Sequence, residues 1–337
     1  MTRPLVLLQP APQSRDRIFD AATLTRLHER FQVVDFEAEP DDARFDELLP
    51  DAFAVIGQPD LPAARLKRAG RLRALINVEG NFFPNVDYPT AFAQGVRVLG
   101  CGPAYADAVA EMALGLALDL ARGISREDRA FRQGREQYVS ANTGDSVLLR
   151  HATVGLVGFG NLGRSLHRLL AGFDPAVRVY DPWLPASVLR AAGLIPSGLD
   201  ETLASQFVFV LAAVTDVNQH LIGGPQLDRL PPGARLVLVS RAAVVDYDAL
   251  IERVAAGRFL AAVDVWPDEP LAADHPARSL EGLVLSPHRA GGIPQAFFSI
   301  GEMVCDDLEL IGQGLPPARM QVAAPELVGR YRNRPVT

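Results

Sequence analysis

Three charged residues follow separate apolar runs in this chain: Arg241 after RLVLVS, Glu269 after FLAAVDVWPD and His288 after LVLSP. An arginine fork grips a carboxylate through two parallel hydrogen bonds and polarises a neighbouring carbonyl. A histidine passes one proton to or from an alcohol oxygen near neutral pH. A glutamate beside it favours the imidazolium and fixes the ring. Taken singly, each has a plainer reading: a surface arginine, a loop histidine, a Glu-Pro turn. Taken together, they fit one site if the fold brings the ends of those runs to a common edge.

A second pattern names what could share that edge. The run TVGLV passes into Gly158-Phe159-Gly160-Asn161-Leu162-Gly163, and the helical stretch RSLHRLLAGF follows. Between a strand and a helix, this spacing is the loop that cradles a dinucleotide pyrophosphate. Gly158 makes the tight turn, Gly160 lets the backbone approach the phosphates, and Gly163 lets helix and strand pack closely. The helix N-terminus offers free N–H donors and a partial positive charge. The next apolar run, VRVYD, ends at Asp181. A carboxylate there accepts from a ribose diol and repels a 2′-phosphate, which points to NAD rather than NADP. With NAD at the edge, the three charged side chains add up to hydride transfer at a 2-oxo or 2-hydroxy acid.

Such residues meet only in a sheet whose strands run parallel, because parallel strand ends converge on one edge. The sequence has that rhythm twice. LVLL (5–8), QVVDF (32–36), FAVI (53–56) and ALIN (74–77) read as strands, with a helix after the first that places Ile18, Leu24 and Leu27 on one side. From Thr153, TVGLV, VRVYD (177–181), FVFVLAAV (207–214), RLVLVS (235–240), FLAAVDV (259–265) and LVLSP (283–287) give six more. Strands separated by helices predict an α/β chain with two doubly wound parallel-sheet domains. Between the two series, residues 103–133 are rich in Ala and Leu and read as one long helix opened by Pro103. After Gly292 come a helix and a tail rich in Pro and Arg.

Composition narrows the field. A chain of 337 residues is long enough for two domains. Its net charge of −7 and lack of a basic tract argue against a nucleic-acid surface. No run approaches the ~20 apolar residues of a membrane span, and the short apolar run before Pro10 reads as a strand rather than a leader. Two cysteines suit a reducing cytosol and cannot build a thiolate metal site, so no metal is expected. There are 32 arginines but one lysine, Lys67, with no glycine loop before it. That argues against Schiff-base enzymes and P-loop NTPases.

The segments VGLVGFGNLGRSL, LVLVSRAAVVDYDAL, LAAVDVWPDEPL and LSPHRAGG resemble the signatures of the D-isomer-specific 2-hydroxyacid dehydrogenases. INVEGNFFPNVDYPTAFAQGVRVLG and DAVAEMALGLALDLARG resemble that family's substrate-loop strand and long helix, and the order Arg, Glu, His agrees. The resemblance implies interconversion of a 2-oxo acid and a D-2-hydroxy acid. Arg241 would bind the substrate carboxylate and carbonyl, His288 would be the acid/base and Glu269 would orient it. Asn161, Leu162, Val239 and Ser240 would fall at cofactor-contacting positions, and Asp264 near the nicotinamide carboxamide. The resemblance also implies a Rossmann NAD domain (101–292) inserted into a discontinuous, flavodoxin-like substrate domain (1–100 with 293–337). A homodimer through the helix at 103–133 follows from it as well.

Three departures bear on the substrate. The family's carboxylate loop has two glycines; here it reads Val78-Glu79-Gly80-Asn81-Phe82, with Phe82 in place of the second, so that either the aromatic narrows the pocket or the loop sits differently. Ala242 follows Arg241 where glycine is usual. Arg289 follows His288 and could meet a second anionic group. Gly80, Asn81, Phe82, Arg241 and Arg289 are therefore the expected substrate contacts. Two other readings remain. One is an NAD-binding sensor on the same scaffold, against which the intact Arg–Glu–His set speaks. The other is formate or phosphite oxidation, against which Glu269 and the lack of a loop lysine speak.

Overall fold

Short runs of Val, Leu, Ile and Ala become strands buried along their whole length, because helices cover both faces of each sheet. ALIN, FVFV and RLVL are examples. The computed structural model describes residues 3–37, 41–138, 145–215 and 217–328. The chain divides into two units, Met1–Tyr105 with Gly292–Thr337, and Ala106–Gly291. The tail read as rich in Pro and Arg lies, from residue 329 on, outside the described residues.

The first unit opens with β1 (Leu5–Gln9), β2 (Gln32–Asp35), β3 (Ala52–Gly57), β4 (Ala74–Asn77) and β5 (Arg97–Gly100). The second contains β6 (Thr153–Val157), β7 (Ala176–Tyr180), β8 (Ile195–Pro196), β9 (Phe207–Val210), β10 (Arg235–Leu238), β11 (Leu260–Val263) and β12 (Leu283–Leu285). The chain then returns to the first unit and adds β13 (Gln321–Val322).

In the first sheet the order is β2-β1-β3-β4-β5, all parallel, with β13 antiparallel at the edge. That is the flavodoxin-like order. The helix Pro294–Gly312 lays Ile300, Met303, Val304 and Leu308 on the apolar face formed by Val6, Leu8, Ile56 and Ile76. Leu7, Phe45, Val55, Leu75 and Val98 belong to the opposite core. The single helix expected after β1 is two, Arg15–Ile18 and Ala21–Arg30. Asp20 separates them, its side chain accepting the Thr23 N–H at 2.8 Å as an N-cap.

In the second sheet all seven strands are parallel in the order β12-β11-β10-β9-β6-β7-β8. This is the dinucleotide-binding order with one strand added beyond β11. The expected α/β class with two doubly wound sheets is therefore present. The strands stop earlier than their apolar runs: β9 ends at Val210, β10 at Leu238 and β11 at Val263. The residues beyond leave the ladder and form the loops that carry the site.

The helix read across 103–133 is corrected. It is two helices, Gly102–Arg122 and Ile124–Arg132. Gly123 takes φ +65°, a left-handed conformation that ends the first helix. Asp119 then accepts the Ser125 N–H at 2.8 Å and starts the second. Among the described residues no helix is long and apolar enough to cross a membrane.

Candidate active site

The loop after β6 has the geometry its glycines predict. Gly158 has φ +98°, and a β-carbon there would stand 2.9 Å from the Ala212 backbone. At Gly163 a β-carbon would stand 2.7 Å from the Gly158 carbonyl, so the helix Asn161–Leu170 can lie close to β6 only without it. Nothing lies within 4 Å of the corresponding position at Gly160, the residue before that helix. The backbone there is open to an approaching phosphate. Asn161 is exposed and Leu162 half-buried. A further glycine, Gly155, escaped the sequence reading: the Thr202 carbonyl occupies the place of its β-carbon. Its signal was its position inside a buried strand, where a glycine marks a close backbone approach.

Asp181 sits just past β7, beside that loop. Its Oδ2 accepts the Phe159 N–H at 2.8 Å and its Oδ1 accepts the Trp183 N–H at 2.9 Å. Both oxygens keep acceptor capacity, and two backbone donors hold them in place. Ser240, past β10, is 3% exposed, and its Oγ has no hydrogen-bond partner among the described residues. An orphaned hydroxyl, an open glycine and an anchored carboxylate on one sheet edge suit a dinucleotide. Val239 is 4% exposed, so only its backbone can take part.

Arg241, Glu269 and His288 follow β10, β11 and β12, three adjacent strands spaced by about 4.8 Å each. His288 Nδ1 and Glu269 Oε2 are 2.7 Å apart. A carboxylate only accepts, so Nδ1 carries the hydrogen and Nε2 is the nitrogen left to exchange a proton. Glu269 Oε1 accepts the Trp266 N–H at 2.9 Å, which fixes the carboxylate from its other side. Arg241 stands one strand over, with its Nη1 donating to the Ser240 carbonyl at 2.7 Å. Arg289 is exposed.

Two expected contacts are bonded or packed within the protein. Asp264, expected near the nicotinamide carboxamide, faces the His288 loop. It is 1% exposed, and its oxygens accept from Ser286 Oγ, Arg289 N and Ala290 N. Three protein donors occupy the carboxylate, because a buried anion is tolerated only when so paired. Phe82, expected to narrow a pocket, is 3% exposed and belongs to the core of the first unit. Its ring fills the space over Gly100, 3.2 Å from where a β-carbon would stand. Gly80 and Asn81 beside it are half-buried, and Glu79 accepts from Gln13 Nε2 at 2.6 Å. Sequence reasoning missed Ser286 and Trp266. The signal for Ser286 was its place two residues before His288.

A dinucleotide-binding sheet that ends in a histidine–glutamate pair and an arginine defines a nicotinamide-dependent oxidoreductase. The profile described as "D-isomer specific 2-hydroxyacid dehydrogenase, NAD binding domain" matches residues 114–290, more than half of the chain. The glyoxylate reductase of Thermofilum pendens is 30% identical over 314 residues, covering 90% of this chain and 92% of that protein. The D-3-phosphoglycerate dehydrogenase of Archaeoglobus fulgidus is 28% identical over 271 residues, and the match spans half of that longer protein. The crystal structure of a phosphoglycerate oxidoreductase from Rhizobium etli has a TM-score of 0.88 at 42% identity, covering 96% of this chain and 99% of that one. The chain belongs to the D-isomer specific 2-hydroxyacid dehydrogenases. It is an NAD-dependent oxidoreductase.

Proposed function

We propose that this protein interconverts a small 2-oxo acid and the corresponding D-2-hydroxy acid. The observation that carries the reading is the 2.7 Å contact between His288 and Glu269 at the edge where Arg241 also stands. Bound NAD(H) supplies or accepts the hydride. Gly158, Gly160, Asn161, Leu162 and Gly163 hold its pyrophosphate, Asp181 its ribose diol, and Val239 and Ser240 the part near β10. Arg241 grips the substrate carboxylate and polarises the carbonyl. His288 Nε2 gives a proton to the substrate oxygen during reduction and takes it back during oxidation. Glu269 holds Nδ1 and stabilises the imidazolium. Gly80 and Asn81 offer backbone N–H groups to the carboxylate, and Arg289 meets an anionic group on longer substrates.

The test is NADH oxidation followed by absorbance with a panel of 2-oxo acids, and chiral analysis of the product. A D-hydroxy acid from at least one substrate supports the reading. NADH binding without turnover on any of them would favour the binding-protein alternative.

NADH should be preferred over NADPH, because Asp181 is anchored beside the glycine loop and a carboxylate there repels a 2′-phosphate. Asp181→Ala should relax the ratio of the two kcat/KM values. A native ratio favouring NADPH would refute the assignment.

We also propose a homodimer through the helices Gly102–Arg122 and Ile124–Arg132. The second has no buried residue in the single chain. Ile124 and Phe131 on it are 59% and 61% exposed, and Tyr138 and Leu148 that follow are 68% and 70% exposed. Such apolar surface suits a partner copy. Light scattering should give twice the 36.4 kDa chain mass, and Phe131→Glu should reduce it to the single value. A monomeric native protein would end the proposal. Two free, buried cysteines support a reducing, cytoplasmic setting.

A further inference from the structure

The backbone around His288 is held in an unfavourable conformation by groups that have no place in the reaction as set out above. His288 has φ +48°, in the left-handed region that residues with a side chain rarely adopt. The three donors on the buried Asp264 carboxylate bracket it. Ser286 Oγ comes from two residues before, bonded to Oδ1. The N–H groups of Arg289 and Ala290 come from the residues just after, each at 3.0 Å. Trp266, two residues beyond Asp264, adds two bonds. Its indole N–H donates to the Ser286 carbonyl at 2.9 Å, and its backbone N–H donates to Glu269. One short segment, 264–266, thus fastens both the histidine turn and the glutamate that pairs with it.

We propose that Ser286 and Trp266 are positioning residues: through Asp264 and the Ser286 carbonyl they hold the His288 turn so that Nε2 is aimed at the reacting oxygen. The physical reason is angular. The ring of His288 is half-exposed, and among the described residues its side-chain anchor is Glu269. Its direction is therefore set by its backbone, and a small relaxation of φ swings Nε2 through a large arc. Misplacement by about 1 Å costs a reacting group up to ~10²-fold in rate. Ser286 is 5% exposed, and its hydroxyl is the one side-chain donor among the three on Asp264. Removing it leaves the buried Oδ1 with the Arg289 N–H alone. The turn must then shift to compensate.

This inference rests on His288 being the acid/base, and the experiment separates the two. Ser286→Ala should lower kcat by about 10-fold or more, within the ~10²-fold limit of misplacement. KM for the 2-oxo acid and the Kd for NADH should stay within about twofold, because Ser286 is itself assigned to neither and Asp264 keeps its two backbone donors. Ser286→Thr keeps the hydroxyl and should recover most of the rate. Trp266→Phe removes only the indole N–H and should lower kcat in the same direction. In a His288→Ala background, Ser286→Ala should cause no further loss, since both act through one imidazole. An unchanged kcat in Ser286→Ala would overturn the proposal. So would an equal loss in the His288→Ala background, or a loss matched by weaker NADH binding. If Ser286→Ala does not fold, Trp266→Phe and Ser286→Thr decide by the same criteria. Full activity in His288→Ala itself would instead overturn the acid/base reading.

Discussion

Replacing His288 with alanine should lower kcat for 2-oxo acid reduction by ~10²–10⁴, the usual worth of a positioned proton donor. The substrate oxygen gains a full negative charge during reduction unless a proton arrives with the hydride. With Nδ1 bonded to Glu269 at 2.7 Å, Nε2 is the nitrogen left to deliver it under the proposed function. Binding of NADH should survive, because the loop after β6 and Asp181 are untouched. Folding should survive as well, because the ring is on the surface and Asp264 still holds the turn through Ser286, Arg289 and Ala290. Alanine is, however, less at ease than histidine at φ +48°. His288→Asn is the companion variant, since asparagine tolerates the left-handed region and has no basic nitrogen. Both variants should be equally slow. Steady-state rates with NADH binding measured by fluorescence provide the check, and native turnover in either would make His288 a structural residue.

Arg241→Lys should cost on the order of 10² or more in kcat/KM. Lysine keeps the positive charge but loses the planar fork, so one of two parallel bonds to the carboxylate disappears. The loss of charge-assisted bonding is about 3 kcal/mol, which corresponds to roughly a hundredfold. The bond from Nη1 to the Ser240 carbonyl, which helps to aim the native side chain, is also lost. The effect should fall on kcat as well as KM if, as proposed, the same guanidinium polarises the carbonyl in the transition state. A variant that raised KM alone would leave Arg241 as a binding group without a part in the chemistry.

Much of this site could be read from sequence because parallel sheets convert sequence order into spatial order. Arg241, Glu269 and His288 each follow an apolar strand, so adjacency of β10, β11 and β12 was enough to bring their loops together. The glycines of 158–163 were equally readable, since each is required by a local backbone approach. What stayed hidden depends on partners far along the chain. Phe82 stands where the family resemblance implies a glycine, yet it turns into the core, where Gly100 on the neighbouring strand leaves room for a ring. Asp264 looks like a strand-end carboxylate free to meet a ligand, but its three donors lie beyond residue 285. Gly123 was passed over as one more small residue in an Ala-rich helix. Its left-handed φ and the Asp119 cap that follows made it a boundary.

The interruption of the first unit by the second sets an order of events on the ribosome. The five strands β1–β5 emerge first, but the helix Pro294–Gly312 that covers Val6, Leu8, Ile56 and Ile76 is made only after the whole second unit. At about 5–20 residues per second, that delay is on the order of ten seconds or more. During it one apolar face of the nascent sheet is covered only in part, by Ile18, Leu27 and their neighbours, and β5 lacks its antiparallel neighbour β13. The second unit is continuous and closes on its own residues as they appear. The half that is translated first is thus the half that is finished last, and throughout the wait it presents the sticky surface that chaperones recognise.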